Sequence, residues 1–217
     1  MTTEVARLVE RALVGGGIDL VASCNVGAWN ARAPARLRST ELFPPARGVV
    51  VVASAGRGLW RALRDAADHR ERWRTEHPLD DFVAGVLDRV DAALTDARIG
   101  FRRFEAKVLA PVPLDFRALG EIVGLGSLGP FGMLIHAEHG PWWALRAAYL
   151  VDVEVDPPLA HAPPCRGCAA PCVAGAPRES AGIALATADV RTRCIVGGRS
   201  RYDDDQLAYH YGGRRPA

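Results

Sequence analysis

Between Leu79 and Leu94 apolar residues recur at Phe82, Val83, Val86, Leu87, Val90 and Leu94, a 3.6-residue period that predicts one long helix with a single buried face. The same period at Val5, Leu8, Val9 and Ala12 predicts a helix over Thr3 to Val14, stopped by Gly15-Gly16-Gly17. A further helix begins at Leu59 to Asp65 and is punctuated by His77-Pro78, and Leu114 to Val123 forms another. Gly48 to Ser54 is a β-branched run without alternation, which predicts a strand covered on both faces. Ile18 to Ser23, Ile99 to Val108, Met133 to His136 and Leu145 to Val155 complete the strand candidates, the second with imperfect alternation. The order α-β-β-α-α-β-α-β-β predicts an α+β sandwich. In it the Leu79–Leu94 helix packs on a sheet containing 48–54, 99–104 and 145–153.

Past Pro157-Pro158 the pattern fades. Pro163, Pro164, Pro171 and Pro177 accompany four cysteines with little apolar periodicity, so a boundary is placed near Asp156: a domain over 1–156 and an irregular Cys-rich tail over 157–217. The chain has 217 residues, of which 49% are hydrophobic and 24% charged, enough to bury a core. Its net charge of +2 leaves no electrostatic footprint for nucleic acid. The first helix is interrupted by charge and does not read as a signal peptide, and the apolar runs fall far short of a membrane span. A cytoplasmic protein is expected. Five cysteines without an export signal then favour metal or redox use over a disulfide framework.

Cys165, Cys168 and Cys172 follow C-x2-C-x3-C, and Cys194 comes later. Thiolates two to three residues apart can reach one metal, because the intervening turn brings their sulfurs to the same side. One iron–sulfur cluster, one zinc ion held by four thiolates, or a loop of reduced thiols all fit this set. Four thiols exclude two clusters. Cys24 stands alone in an apolar segment and reads as a small buried hydrophobe.

The segment Gly124 to Val155, GLGSLGPFGMLIHAEHGPWWALRAAYLVDVEV, joins a Gly-rich turn to a short apolar run, a His139-Gly140-Pro141 turn and two tryptophans. Its glycines are too irregular for a dinucleotide fingerprint, and a large planar guest suits such a surface. The segment resembles the corrinoid-binding region shared by epoxyqueuosine reductases and the cobalamin-processing proteins of type C methylmalonic aciduria and homocystinuria. CNVGAWNARAP (Cys24 to Pro34), FPPARGVVVVASAGRGLWRAL (Phe43 to Leu63) and SRYDDDQLAYHY (Ser200 to Tyr211) are similar, in the same order, to segments of the cobalamin-processing proteins.

The resemblance implies a nitroreductase-like fold, with a central mixed sheet flanked by helices. It also implies cobalamin bound with its lower base detached. Gly126, Gly129, Phe131 and Gly132 would admit the corrin, His136 and Trp143 would wall the pocket, and Arg146 would hold an anionic or thiol co-substrate as the catalytic candidate. Each has a plainer reading. His136 could be hydrogen-bonded beneath a turn, one tryptophan could be core, and Arg146 could contact a corrin amide or form a surface salt bridge. His139 and His161 are expected to be solvated, and His210 and Tyr211 to lie in an aromatic tail over the ligand.

Cys168 to Ala176 is similar to the end of the reductases' ferredoxin run. Cys165 then matches its second cysteine, Cys194 a later cluster cysteine, and Cys165, Cys168, Cys172 and Cys194 the ligands of one [4Fe–4S] cluster, with zinc as the alternative. Ala162 stands where that run has its first cysteine, and Val173 where it has a proline. Counting back from Gly124, Pro113 matches a proline of the reductases, and Ala110 falls where their proton-donating aspartate belongs, which argues against epoxyqueuosine reduction. The function expected is that of a cobalamin-binding oxidoreductase that removes or handles the upper cobalt ligand. The alternative is a non-catalytic cobalamin chaperone or iron–sulfur electron-transfer protein. A flavin reductase is a third class, with no basic cluster in sequence for a flavin phosphate.

Overall fold

The structure, a computed structural model, describes residues 4–107, 114–158, 162–174 and 188–213, so Ala110, Pro113 and His161 lie outside the described residues. Helix α1 (Glu4–Leu13) buries Val5, Val9 and Leu13 and ends at Gly15, whose φ of 76° suits a residue without a Cβ. Strand β1 (Leu20–Asn25) runs into the short helix α2 (Val26–Asn30), where the Asn25 side chain accepts the Ala28 N–H at 2.9 Å. Helix α3 (Ser39–Leu42) precedes strand β2 (Gly48–Ala55). Helices α4 (Gly58–Asp65), α5 (His69–Arg72) and α6 (Pro78–Asp96) follow. Pro78 opens α6, where its missing N–H costs nothing, and Asp80 and Asp81 complement the helix dipole.

Strand β3 (Phe101–Glu105) leads to α7 (Phe116–Ile122), whose first turn is capped by Asp115. Strands β4 (Ser127–Leu128) and β5 (Leu134–Ile135) form a small ribbon of their own, and β6 (Trp143–Val151) returns to the main sheet. Helices α8 (Ala188–Arg193) and α9 (Asp204–Gly212) lie in the tail.

The main sheet has the order β1-β2-β6-β3, with every neighbouring pair antiparallel. The α+β sandwich is as expected, whereas the mixed sheet is corrected. Strands β2 and β3 do run parallel, joined through α4–α6, but β6 inserts between them and pairs antiparallel with both. Strand β2 is a central strand with all eight residues buried. Val49, Val51 and Ala53 face the layer of α2, α3 and α7, and Val50 and Val52 face α1, α4 and α6. Val51 is 0% exposed and Val86 5%, so both faces of the sheet are covered and α6 packs where its period requires.

Several expected strands are shorter in the structure. Leu145–Val155 leaves the sheet after Val151, because Asp152 turns to accept the Gly100 N–H at 2.9 Å. Ile99–Val108 contributes Phe101–Glu105 as a charged edge, where Arg103 lies 2.8 Å from Asp88 and 2.9 Å from Asp91. Met133–His136 gives the two residues of β5, after which His136 bridges to Gly140 across a tight turn. Among the described residues no helix is long and apolar enough to cross a membrane.

Candidate functional site

The two cysteine segments and the Gly-rich turn meet. Cys165, Cys168, Cys172 and Cys194 line one cavity of about 300 Å³, whose opposite wall is Gly129 to Phe131. Phe131 and Ile135 pack there against Cys172 and Val190 in a small apolar cluster distinct from the two cores of the sheet. The cysteine loop is shaped by backbone turns. Cys168 N–H donates to the Cys165 carbonyl at 3.2 Å, Gly167 takes φ 78°, and Ala170 takes φ 51° while its N–H donates to Cys168 Sγ at 3.4 Å. A non-glycine residue held in the left-handed region just before Pro171 carries local strain, of the kind that clusters at functional sites. Helix α8 is tied to this loop by Arg193, which donates to the Ala174 carbonyl at 3.2 Å and pairs with Asp189.

The thiols influence one another. Burial pushes Cys165 above the usual thiol range, followed by the charges of Cys194, Cys168 and Cys172. Burial likewise raises Cys172, with Cys194 next. Cys165 and Cys172 thus resist ionisation unless a positive centre compensates them. Among the described residues no group of three or more His, Cys, Asp or Glu side chains is disposed to hold a metal ion. Tetrahedral zinc would need sulfurs about 3.8 Å apart, as follows from bonds of roughly 2.3 Å. Cys24 is elsewhere, fully buried in the sheet core, with its thiol pushed up to about 12 by burial.

The expected corrin-contacting residues fall in different places. A Cβ on Gly126 would come within 2.8 Å of the Trp143 ring, and one on Gly129 within 2.6 Å of Ile135. Those two glycines are therefore already required by the protein's own packing. Gly132, at φ 81°, faces open space. His136 is the ring beneath a turn: its Nδ1 accepts the N–H groups of Glu138 at 3.0 Å and His139 at 3.2 Å, so its proton sits on Nε2. Both tryptophans are buried, Trp143 at 5% and Trp142 at 1% exposure. The Trp143 Nε1–H donates to the Leu134 carbonyl at 3.1 Å, and Trp142 packs edge-on against Tyr202 of the tail.

Arg146 lies away from the cavity. Between Val52↔Ala147 and Ala53↔Leu145 the pairing of β2 with β6 slips by one residue, and Arg146 is the extra residue of that bulge. Leu145 and Trp143 face the α7 layer, whereas Arg146 borders Asp80 and Val83 of α6. Its Nε donates to Ser54 Oγ at 2.8 Å, and no carboxylate pairs with it among the described residues. Burial lowers its pKa, opposed by Tyr202, Asp80 and Tyr209. His210, in α9, has an exposed edge but packs against Trp60, Tyr202 and Tyr209. Burial of the ring, then Arg146 and Arg191, push it down to about 4.

One device was invisible in the sequence. A Cβ on Gly140 would overlap the Val196 carbonyl, and one on Gly197 the His139 carbonyl, so two glycine backbones cross in contact. His139 Nδ1 lies 2.8 Å from Ser200 Oγ beside this crossing. His139, expected to be solvated, is instead half-buried and engaged with the tail. The positive φ of both glycines is the trace a sequence could carry, but not their pairing. Leu128 and Ile195, 50% and 72% exposed, form an apolar rim at the cavity mouth that periodicity also misses.

No family model matches the chain, and no curated protein matches it in sequence. Solved structures match it in fold. The C. elegans B12-trafficking protein CblC, a human MMACHC homologue, shares 14% identity at a TM-score of 0.62, over 97% of this chain and 91% of that one. An epoxyqueuosine reductase from Streptococcus thermophilus shares 15% at 0.55, over 88% of this chain and 56% of that one. An epoxyqueuosine reductase solved with an epoxyqueuosine-modified tRNA-Tyr stem loop shares 19% at 0.55, over 77% and 50%. The chain thus spans about half the length of the reductases it matches. At these identities the likeness is one of fold.

Proposed function

We propose that this protein binds a corrinoid across the mouth of the cysteine cavity and handles the upper ligand of its cobalt. The observation that carries the reading is the meeting of four thiols and the Gly-rich turn at one cavity, in a fold like that of a B12-trafficking protein. A cavity of about 300 Å³ is at the small end for a ligand site and far too small for a whole corrinoid. The macrocycle would therefore lie over the rim, on Gly132, Leu128 and Ile195, with Gly129 and Phe131 beneath its edge. Gly126, His136 and Trp143 support that surface from within.

The four thiols match one iron–sulfur cluster in number and line one cavity, but their side chains as placed are not gathered at ligand distance, so a cluster would require them to converge. Cys165, Cys168, Cys172 and Cys194 would hold it, and when bound it would supply single electrons beside the corrin. Cys172 is the buried member of the set, and Cys165, Cys168 and Cys194 are half-buried. Phe131 is buried beside Cys172 and covers the inner side of the cavity.

The test is the visible spectrum of added methyl- or cyanocobalamin. A shift to the base-off form is expected with the native chain, reduced by Ile195→Asp at the rim. No shift at high protein concentration sinks the reading. A carrier without catalysis predicts the same shift. It is distinguished by retention of the upper ligand when a thiol or reductant is supplied.

A further inference from the structure

A second cavity, of about 450 Å³, opens in the other helical layer, between the end of α1 and helices α4, α5 and α6. Its polar lining is Arg72, Arg89 and Asp65, and its apolar side is Phe82 and Val86. Arg72 sits over the Phe82 ring with its guanidinium carbon 5.6 Å from the centroid. The Nη2 of Arg72 is held by Asp68 at 2.7 Å, but its buried Nε has no hydrogen-bond partner among the described residues. That Nε is covered, which leaves the Nη groups as the donors the guanidinium can offer at the cavity. Arg89 donates to the Val14 carbonyl at 3.2 Å and pairs with no carboxylate among the described residues.

The glycine in the middle of α6 points the same way. Gly85 lines the cavity, and a Cβ there would meet nothing within 4 Å. Packing does not require glycine at this position, and in a helix interior it is the least favourable residue after proline. A surface kept bare inside a regular helix suits a ligand that lies flat against it. Gly16, across the cavity, differs: a Cβ there would run into Val86 and Arg89.

We infer that this cavity binds a phosphate-bearing heterocycle of the size of a nucleoside monophosphate. The phosphate sits between Arg89 and Arg72, where guanidinium groups offer paired donors. The flat ring lies over Gly85 toward Phe82, and Asp65 accepts from a sugar hydroxyl. Arg72 and Arg89 are far apart in sequence, and helices α5 and α6 bring them to one opening. The site is independent of the corrin reading, since it lies in the layer of α1, α4 and α6 and shares no residue with the cysteine cavity.

Calorimetric titration of the full chain with AMP, adenosine and inorganic phosphate tests this, with circular dichroism melting as the folding control. AMP should bind saturably and more tightly than adenosine. Arg89→Ala should weaken it roughly tenfold or more, the share of one charge-assisted contact. Gly85→Leu should abolish binding while the melting temperature holds or rises, because the added side chain enters open space. Absence of saturable AMP binding, equal affinity for adenosine, or unchanged affinity in a folded Gly85→Leu chain would overturn the proposal.

Discussion

Strand β2 buries all eight of its residues, whereas of the four cysteines around the cavity only Cys172 is buried. The first region is made of long regular elements whose apolar faces interlock. The second is made of two-residue strands, tight turns and a tail folded back over them. In the sheet each residue is fixed by many neighbours, so stability is spread widely. Around the cavity the geometry depends on a few points: the Gly140–Gly197 crossing, the His139–Ser200 contact, Tyr202 against Trp142, and Arg193 on the cysteine loop. A region held at few points can open locally without the sheet unfolding.

The largest expected effect tests the sheet. Leu87 of α6 is fully buried against the β2–β6 core, so Leu87→Ala should cost about 2–5 kcal/mol of global stability by chemical denaturation. The rate at which a thiol reagent modifies the cavity cysteines in dilute buffer should stay unchanged. A parallel rise in thiol reactivity would show that the two regions are one cooperative unit.

Gly197→Ala makes the opposite cut. It places a methyl group in the His139 carbonyl and forces a left-handed conformation on alanine, together about 2–4 kcal/mol. That cost should appear as undocking of the tail, with faster modification of Cys194 and, if the proposed corrinoid site is correct, a smaller base-off shift of added cobalamin, while the main thermal transition of the sheet moves little.

This contrast also explains what the sequence could tell. The 3.6-residue period of Leu79–Leu94 and the unbroken run at Gly48–Ser54 reflect burial averaged over many contacts, so α6 and β2 were legible. The sheet's pairing was not, because nothing local to β2 and β3 shows that β6, far along the chain, slips between them. The gathering of Cys194 with the C-x2-C-x3-C loop at one cavity was expected from the resemblance alone, because its distance along the chain carries no local signal. Arg146 fails to join because one bulge turns it toward α6, and a one-residue slip leaves no mark in composition. Gly126 and Gly129 were expected to face a corrin, and their missing side chains also make room for Trp143 and Ile135.

A smaller effect sharpens the comparison through the fifth cysteine. Cys24 belongs to the sheet core with its thiol pushed up to about 12, so it should react only as fast as the whole chain unfolds. Mass spectrometry after limited exposure to iodoacetamide should find Cys165, Cys168 and Cys194 labelled before Cys172, and Cys24 unlabelled until denaturant is added. Early labelling of Cys24 would mean that β1 opens as readily as the tail.

The smallest expected effect comes from the docking of α9, the point where the two regions touch. Burial first, then Arg146 and Arg191, hold His210 down to about 4 from an ordinary 6.5. The folded state therefore prefers the neutral ring, and between these values the undocked helix binds the proton more readily. Docking free energy is then fully present above about pH 6.5, and it declines as the pH falls toward about 4. Since His210 keeps an exposed edge, solvent screens part of this effect and the change should be modest. Hydrogen exchange of α9 amides, corrected for the intrinsic pH dependence, should show weaker protection at pH 4.5 than at pH 7. His210→Phe keeps a ring against Trp60 and Tyr202 without the titrating nitrogen, and should remove the difference. If the pH dependence persists in that variant, another group at the interface titrates and His210 is not the source of the effect.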